Sequence, residues 1–259
     1  MRKGYFAAGI ACLVACAFCI VKSLPAPAPR SPALVQEATE AIAEQSVTLL
    51  HGEGEDLIPD EYVSPIDFDA LMEMNEDIYA WLYIPGTDIN HPVLQSVRGD
   101  NDYYLNHSAD HQSDENGCLF TEYLYNDTMF ADPVTVIYGH RMRSGQMFGQ
   151  LEKLYASWES LNNLDEIIVY TPTRELHYQV FAATPFSNLH ILNYYRRFVD
   201  ARDIPAFAER VAEVHSFARL YDDSTEVTED DHLLVLSTCL IEDETQRFIV
   251  VAKLMREIS

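Results

Sequence analysis

Positive charge is scarce in this chain, which carries 17 lysine and arginine residues against 41 aspartate and glutamate residues. The formal net charge of −24 argues against nucleic-acid binding, because a phosphate backbone repels an acidic surface. The same charge is typical of an ordinary solvated surface and identifies no substrate. The sequence shows no internal repeat, and its 259 residues predict one substantial domain plus a targeting segment.

Long apolar runs are also rare, and the prominent one lies at the N-terminus. Residues 5–21 contain no charge and follow Arg2 and Lys3. Their 17 residues reach the short limit for a membrane-spanning helix. We predict that residues 1–22 form a single-pass signal anchor with the rest of the chain exported. A lipoprotein signal, with a lipid on Cys16, and plain secretion are the alternatives.

Residues 23–63 are rich in proline, alanine and acidic residues, which predicts a stalk and a linker. The compact domain is predicted over residues 64–259. It begins with a short helix, after which strands with turn signals dominate. A helical insertion, "DARDIPAFAERVAEVHSFARLYDD", precedes the final apolar strands "HLLVLSTC" and "QRFIVVAKLM". The strand count of about eight predicts a mostly β fold with a closed or nearly closed barrel.

Cysteine is scarce in the predicted domain, which holds only Cys118 and Cys239. Cys239 and His140 each end an apolar strand, and Arg247 opens the last strand. A cysteine nucleophile needs a base or cation that favours the thiolate and a donor for the oxyanion. If the last two strands pair as a hairpin, Cys239 and Arg247 meet at one mouth of the barrel. Gly139 lets the backbone before His140 pass close to a neighbour, but spacing alone does not place His140 beside the thiol.

Ordinary explanations compete with this chemistry. Each of the three residues, taken alone, is more typical of a capped histidine, a buried thiol or a solvated ion pair. In an exported domain Cys118 and Cys239 could also form a disulfide. A polar loop holds four side chains of the types that bind metal ions, namely His107, Asp110, His111 and Asp114. No cysteine or capping strand organises that loop, and we predict no metal site.

Three segments together resemble the sortases, bacterial cysteine transpeptidases that attach proteins to the cell wall. The segments are "YGHRMRSGQMFGQL", "LSTC" and "RFIVVAKL", which follow the family's order of His, Cys and Arg. The stretches "DNDYYLNH" and "VYTPTRELHYQVF" and the helical insertion are similar to class B sortases. The resemblance covers roughly residues 65–259. It departs from the family at Val235, where Thr is frequent, and at Leu240, where a charged residue is common.

The resemblance implies a closed eight-stranded sortase barrel with an N-terminal helix and the helical insertion before the cysteine strand. It implies that the Cys239 thiolate attacks a Thr carbonyl in a C-terminal sorting signal and forms a thioacyl-enzyme. Arg247 and a backbone N–H would stabilise the oxyanion. His140 would protonate the leaving amine and then deprotonate the incoming amine. Whether the resting Cys239 and His140 are an ion pair or a neutral pair is open from the sequence.

The partners and the surroundings of the site are implied in the same way. Substrates would be surface proteins with a C-terminal sorting pentapeptide, and the acceptor an amine of peptidoglycan or its lipid-linked precursor outside the cell membrane. Neither a metal nor an organic cofactor is needed. Asn101, Leu105, Ser237 and Thr238 match positions that line the substrate groove, and Cys118 matches a small buried core position. The alternatives are an exported cysteine protease and a noncatalytic barrel with a Cys118–Cys239 disulfide.

Overall fold

The computed structural model describes residues 62–240, residue 243 and residues 245–259. The predictions for residues 1–22, and for nearly all of residues 23–63, lie outside the described residues. The longest helix in the described part has 10 residues, and no helix there is long and apolar enough to cross a membrane. The predicted single-pass membrane localisation is corrected on this finding.

The described chain is mostly β-structure with short helices. The α-helices are α1 (Phe68–Met74), α2 (Leu151–Leu154), α3 (Trp158–Asn163), α4 (Ile191–Tyr194) and α5 (Asp203–Ala212). Two 3-10 helices span Tyr103–Leu105 and Arg196–Phe198. The strands are β1 (Ile78–Tyr83), β2 (Asn90–Leu94), β3 (Leu119–Phe120), β4 (Val134–Tyr138), β5 (Glu166–Tyr170), β6 (Glu175–Ser187), β7 (Leu220–Tyr221), β8 (Leu233–Cys239) and β9 (Gln246–Ile258).

Serine and aspartate side chains determine where the helices begin. The Asp67 carboxylate accepts the Ala70 N–H at 2.9 Å, which satisfies a free donor in the first turn of α1. The sequence predicts one helix after Met147, but the structure has two, α2 and α3. The chain is extended at Ser157, whose hydroxyl accepts the Ser160 N–H and caps a new helix. The cap explains the interruption.

Eight strands close into a barrel in the order β5-β1-β2-β3-β4-β8-β9-β6, with β5 pairing to β6. This confirms the predicted closed eight-stranded barrel. Strand β7 pairs only with β6, outside the closed ring. The predicted hairpin between β5 and β6 turns at Thr171, whose N–H and hydroxyl both donate to the Arg174 carbonyl at 2.9 Å. Most neighbours are antiparallel, but β2–β3 and β4–β8 are parallel.

Strand β8 is buried on both faces, as its apolar run predicts. Leu234 and Leu236 belong to the core inside the barrel, since alternate side chains of a strand share a face. Leu233 and Val235 belong to a second core, which also contains Phe207 and other side chains of the helical insertion. The insertion therefore covers the outer face of the barrel at β8.

The strand pairs that close the barrel carry a buried histidine between two carboxylates. His177 of β6 places Nδ1 2.7 Å from Glu166 and Nε2 2.7 Å from Glu175. Burial lowers the pKa of His177, but the hydrogen bonds to Glu175 and Glu166 outweigh burial and the nearby Arg256, so its pKa is raised. His177 is thus held as an imidazolium that donates to both carboxylates.

We expect the contribution of His177 to folding to depend on pH. The unfolded pKa is about 6.5, so a raised folded pKa gives stabilisation that is fully present below about pH 6.5. That stabilisation is lost as pH rises through the folded pKa. His177→Gln should therefore lower the free energy of unfolding more at pH 6 than at pH 9 in urea titrations. The exposed His215, changed to Gln, is the control; an equal loss at both pH values for His177→Gln would contradict the account.

Candidate active site

The pairing of three adjacent strands brings His140, Cys239 and Arg247 to one level. Cys239 of β8 pairs with Arg247 of β9, as the hairpin predicts. In the parallel β4–β8 pair, Tyr138 lies opposite Ser237, and the Gly139 N–H donates to the Ser237 carbonyl at 3.2 Å. His140 and Cys239 each follow that pair by two residues. The parallel pairing therefore puts His140 next to Cys239 at the same end of the barrel.

The site lies on the outer face of the barrel, not inside its mouth. Cys239 has the same strand parity as Leu233 and Val235, which face the outer core under the insertion. Arg247 has the parity of Ile249, which belongs to that same core. The prediction of one barrel end is right, and the prediction of a mouth is corrected by the alternation of side chains.

Arg247 contacts the thiol directly. Its Nη1 donates to the Cys239 Sγ at 3.0 Å, and both side chains are partly buried. A guanidinium beside sulfur stabilises the thiolate, which is the nucleophilic form of cysteine. The same fixed donor can turn to an oxyanion that forms one bond length from sulfur. The contact supplies two of the requirements of a cysteine nucleophile.

His140 is oriented by a backbone carbonyl. Its Nε2 lies 2.7 Å from the carbonyl oxygen of Leu105, at the end of the 3-10 helix Tyr103–Leu105. A carbonyl only accepts hydrogen bonds, so Nε2 carries a hydrogen in this arrangement. The nitrogen left for proton exchange with a reacting group is Nδ1. The Leu105 backbone thereby fixes both the tautomer and the direction of the ring.

Cys118 is chemically different from Cys239, and both thiols are free. Cys118 is buried, with 6% of its surface exposed, and lies in the core between the sheet and α1. Burial, with Asp114 and Asp110 nearby, raises its pKa to about 12. The predicted small buried role of Cys118 agrees with this placement. The alternative of a Cys118–Cys239 disulfide is wrong.

The residues predicted to line the substrate groove are placed differently. Leu105 reaches the site through its carbonyl, and Ser237 lies one step below Cys239 on the same face. The Asn101 side chain accepts the Leu124 N–H at 3.4 Å, in the loop after β3. Thr238 is 4% exposed and has the opposite strand parity, towards the barrel interior. A substrate-binding role for these residues stays a prediction.

Tyr138, Glu122 and His190 surround the site and were missed by sequence reasoning. Tyr138 precedes His140 by two residues on the same face, and its ring stacks on Phe120 with centroids 5.6 Å apart. Burial raises the pKa of Tyr138, the Glu122 carboxylate raises it further, and Arg247 opposes the shift. The period of two before His140 was an available signal for Tyr138. No local signal marks Glu122 or His190.

The polar loop that held a possible metal site is organised by other contacts. The His107 ring stacks on Tyr103 with centroids 4.0 Å apart, and its Nδ1 lies 2.8 Å from the Tyr103 carbonyl oxygen. The described residues contain no group of three His, Cys, Asp or Glu side chains arranged to hold a metal ion. His107 acts as a packing side chain of the 3-10 helix that carries Leu105.

The sequence and the fold were compared with known proteins. A family model described as "Sortase domain" matches residues 82–255. Sortase B of Listeria monocytogenes is 31% identical over 200 residues, covering 71% of this chain and 72% of that protein. Sortase B of Staphylococcus aureus is 28% identical over 199 residues, covering 76% and 77%. The crystal structure of sortase B from B. anthracis in complex with AAEK1 has a TM-score of 0.66 and 26% identity, covering 86% of this chain and 95% of that chain.

We expect thiol reagents to separate the two cysteines of the described domain. A methanethiosulfonate at neutral pH should label Cys239 and leave Cys118 unmodified, since Cys118 is buried and its pKa is raised. Arg247→Gln removes the donor to sulfur and should slow labelling roughly 10-fold, the effect of one charged hydrogen bond. Peptide mapping by mass spectrometry locates the label. Cys118→Ser is the control, and equal labelling of Cys118 and Cys239 would refute the assignment.

Gly139 should be necessary for the approach of the histidine segment to the barrel. A Cβ at this position would lie 2.5 Å from Leu119 Cδ2 and 2.7 Å from Phe148 Cδ2. Both contacts are with buried side chains, so Gly139→Ala should lower the free energy of unfolding by about 1–3 kcal/mol. It should also slow reactions that use His140. Urea unfolding measures the first effect, and an unchanged midpoint would mean that the neighbours move freely.

Proposed function

The chain belongs to the sortase family and to its class B, and on this premise we propose that His140, Cys239 and Arg247 carry out its reaction. Sortases are cysteine transpeptidases. The observation that carries the assignment is the contact of Arg247 with the Cys239 sulfur, level with His140 on the neighbouring strand. This row joins a nucleophile, a cation and an acid–base group on one face.

In the first half of the reaction the Cys239 thiolate attacks the carbonyl carbon of a Thr in the sorting signal. The carbon–sulfur bond forms, and the electron pair of the carbonyl moves to oxygen. Arg247, with a backbone N–H, stabilises that oxyanion. When the intermediate collapses, the carbon–nitrogen bond breaks and His140 gives its proton to the leaving amine through Nδ1. The product is a thioester on Cys239.

The second half reverses the roles with another amine. His140 takes a proton from the incoming amine, whose nitrogen attacks the thioester carbon. The carbon–sulfur bond breaks, Cys239 leaves as a thiolate, and a new amide bond joins the two substrates. The Leu105 carbonyl holds Nε2–H throughout, so Nδ1 shuttles the proton in both directions. The protein needs no change of fold between the two halves.

Proteins with sorting signals and amines of the cell wall are the substrate classes that the family implies. We propose a C-terminal pentapeptide as the signal. The acceptor is proposed to be an amine of peptidoglycan or of its lipid-linked precursor. A crystal structure of a sortase B complexed with triglycine shows that a relative binds a short peptide with a free amine. Triglycine is therefore a reasonable probe for the acceptor.

The test follows the acyl group on Cys239. Incubation with a library of Thr-containing peptides should give a covalent adduct that intact-mass and peptide-mapping measurements place on Cys239. Cys239→Ala should give no adduct, His140→Ala should slow its formation at least 100-fold, and Cys118→Ala should behave as the parent.

Triglycine distinguishes transfer from hydrolysis. In a transpeptidase the peptide fragment should appear joined to triglycine, and the adduct should decay faster as triglycine is added. Resolution by water at the same rate with and without triglycine would identify a cysteine protease instead. An adduct on the Cys239→Ala variant would remove Cys239 from the mechanism.

A further inference from the structure

Glu122 is a buried carboxylate beside the active site that the proposed reaction does not use. It follows β3 by two residues and is 8% exposed. A carboxylate is costly to bury unless polar groups surround it. The segment after it is pinned to β4, since Asn126 accepts the Val136 N–H at 3.0 Å and donates to the Val134 carbonyl at 2.8 Å. Glu122 is therefore held in place by the barrel.

The first partner of Glu122 is His190, which begins α4. The His190 Nε2 lies 3.0 Å from one carboxylate oxygen and 3.2 Å from the other. The His190 Nδ1 accepts the Asn193 N–H at 3.2 Å, so the ring hydrogen is on Nε2 and points to Glu122. Glu122 thus attaches the start of α4 to the barrel.

The second partner is Tyr138, whose hydroxyl hydrogen-bonds to the Glu122 carboxylate. Tyr138 lies opposite Ser237, one step below the row of His140 and Cys239 and on the same face. Its hydroxyl also feels the charge of Arg247. A single carboxylate therefore connects the surface beside the thiol with the insertion.

Residues 190–198, here called the lip, make further contacts with the same segment. The Tyr125 ring lies 4.5 Å from the His190 ring, and its carbonyl accepts the Arg197 Nε–H at 3.0 Å. Arg197 has a φ of 59°, in the left-handed region that non-glycine residues rarely adopt. Phe198, also left-handed, is buried and stacks on Tyr195 with centroids 4.9 Å apart. The lip is fixed by several bonds rather than by one.

We propose that Glu122 is a positioning residue for the sorting peptide: it holds the Tyr138 hydroxyl and His190 together, so that the surface beside Cys239 and the lip above it form one rigid binding surface. The inference rests on the proposed function, because it assigns the surface to the peptide that Cys239 attacks. Its chemical basis is that a carboxylate has two acceptor oxygens and can serve both donors. An amide at the same place has one oxygen and an NH₂ group that cannot accept.

The proposal predicts an effect on binding without an effect on the thiol. In Glu122→Gln the KM for a cleaved peptide should rise roughly 10-fold, as for the loss of one charged hydrogen bond. The kcat, and the rate at which methanethiosulfonate labels Cys239, should stay within about threefold of the parent, a change below one such bond. Glu73→Gln on α1, an exposed site, is the matched control.

Double variants test whether the contacts act as a unit. His190→Gln and Tyr138→Phe should each raise KM, and combining either with Glu122→Gln should add less than the product of the single effects. Independent effects that multiply, or an unchanged KM in Glu122→Gln with normal adduct formation, would overturn the proposal. A fall in kcat and labelling rate together with the unfolding midpoint would also overturn it, because the role would then be structural.

A spectroscopic measurement separates this inference from the proposed function. The ¹⁵N shifts of the His190 ring should report hydrogen on Nε2 in the parent and a changed Nε2 environment in Glu122→Gln. If the parent forms no adduct with any peptide, the proposed function fails and the peptide-positioning role fails with it. Unchanged His190 shifts in a parent that does form the adduct would overturn only the role of Glu122.

Discussion

The parallel pairing of β4 with β8 is the constraint on which the site depends. It places His140 and Cys239 at the same level, although 98 residues of sequence lie between them. A parallel pair cannot be joined by a tight turn, so the connecting chain must cross the barrel. That connection contains α2, α3, the β5–β6 hairpin and the helical insertion. The requirement for a long return thus supplies the elements that close the barrel and cover its outer face.

The alternation of side chains along β8 divides the work between two cores. One set of side chains fills the barrel and keeps β4, β8 and β9 in register. The other set packs under the insertion and leads to Cys239 at the strand end. The thiol is therefore partly covered while it stays accessible, whereas Cys118 in the core is not. Position in the fold, more than residue type, distinguishes the two cysteines.

Local and sequential features could be predicted from the sequence, and long-range contacts could not. The Cys239–Arg247 pair follows from a hairpin between adjacent strands, and the closed barrel follows from the number and spacing of apolar runs. The place of His140 depends on a parallel pairing that no local pattern encodes. Glu122 and His190 meet across 68 residues, and each alone is an ordinary polar residue. The Ser157 cap, which splits a predicted helix, lay within a pattern of helical spacing that hid it.

The most direct test of the account is the crystal structure of Cys239 joined to a peptide analogue that mimics the tetrahedral intermediate. The account predicts that the oxygen of the adduct lies about 3 Å from an Arg247 nitrogen. It also predicts that His140 Nδ1 faces the leaving-group side of the adduct while Nε2 remains bonded to the Leu105 carbonyl. An adduct oxygen turned away from Arg247, or a His140 ring that uses Nε2 towards the substrate, would contradict the account.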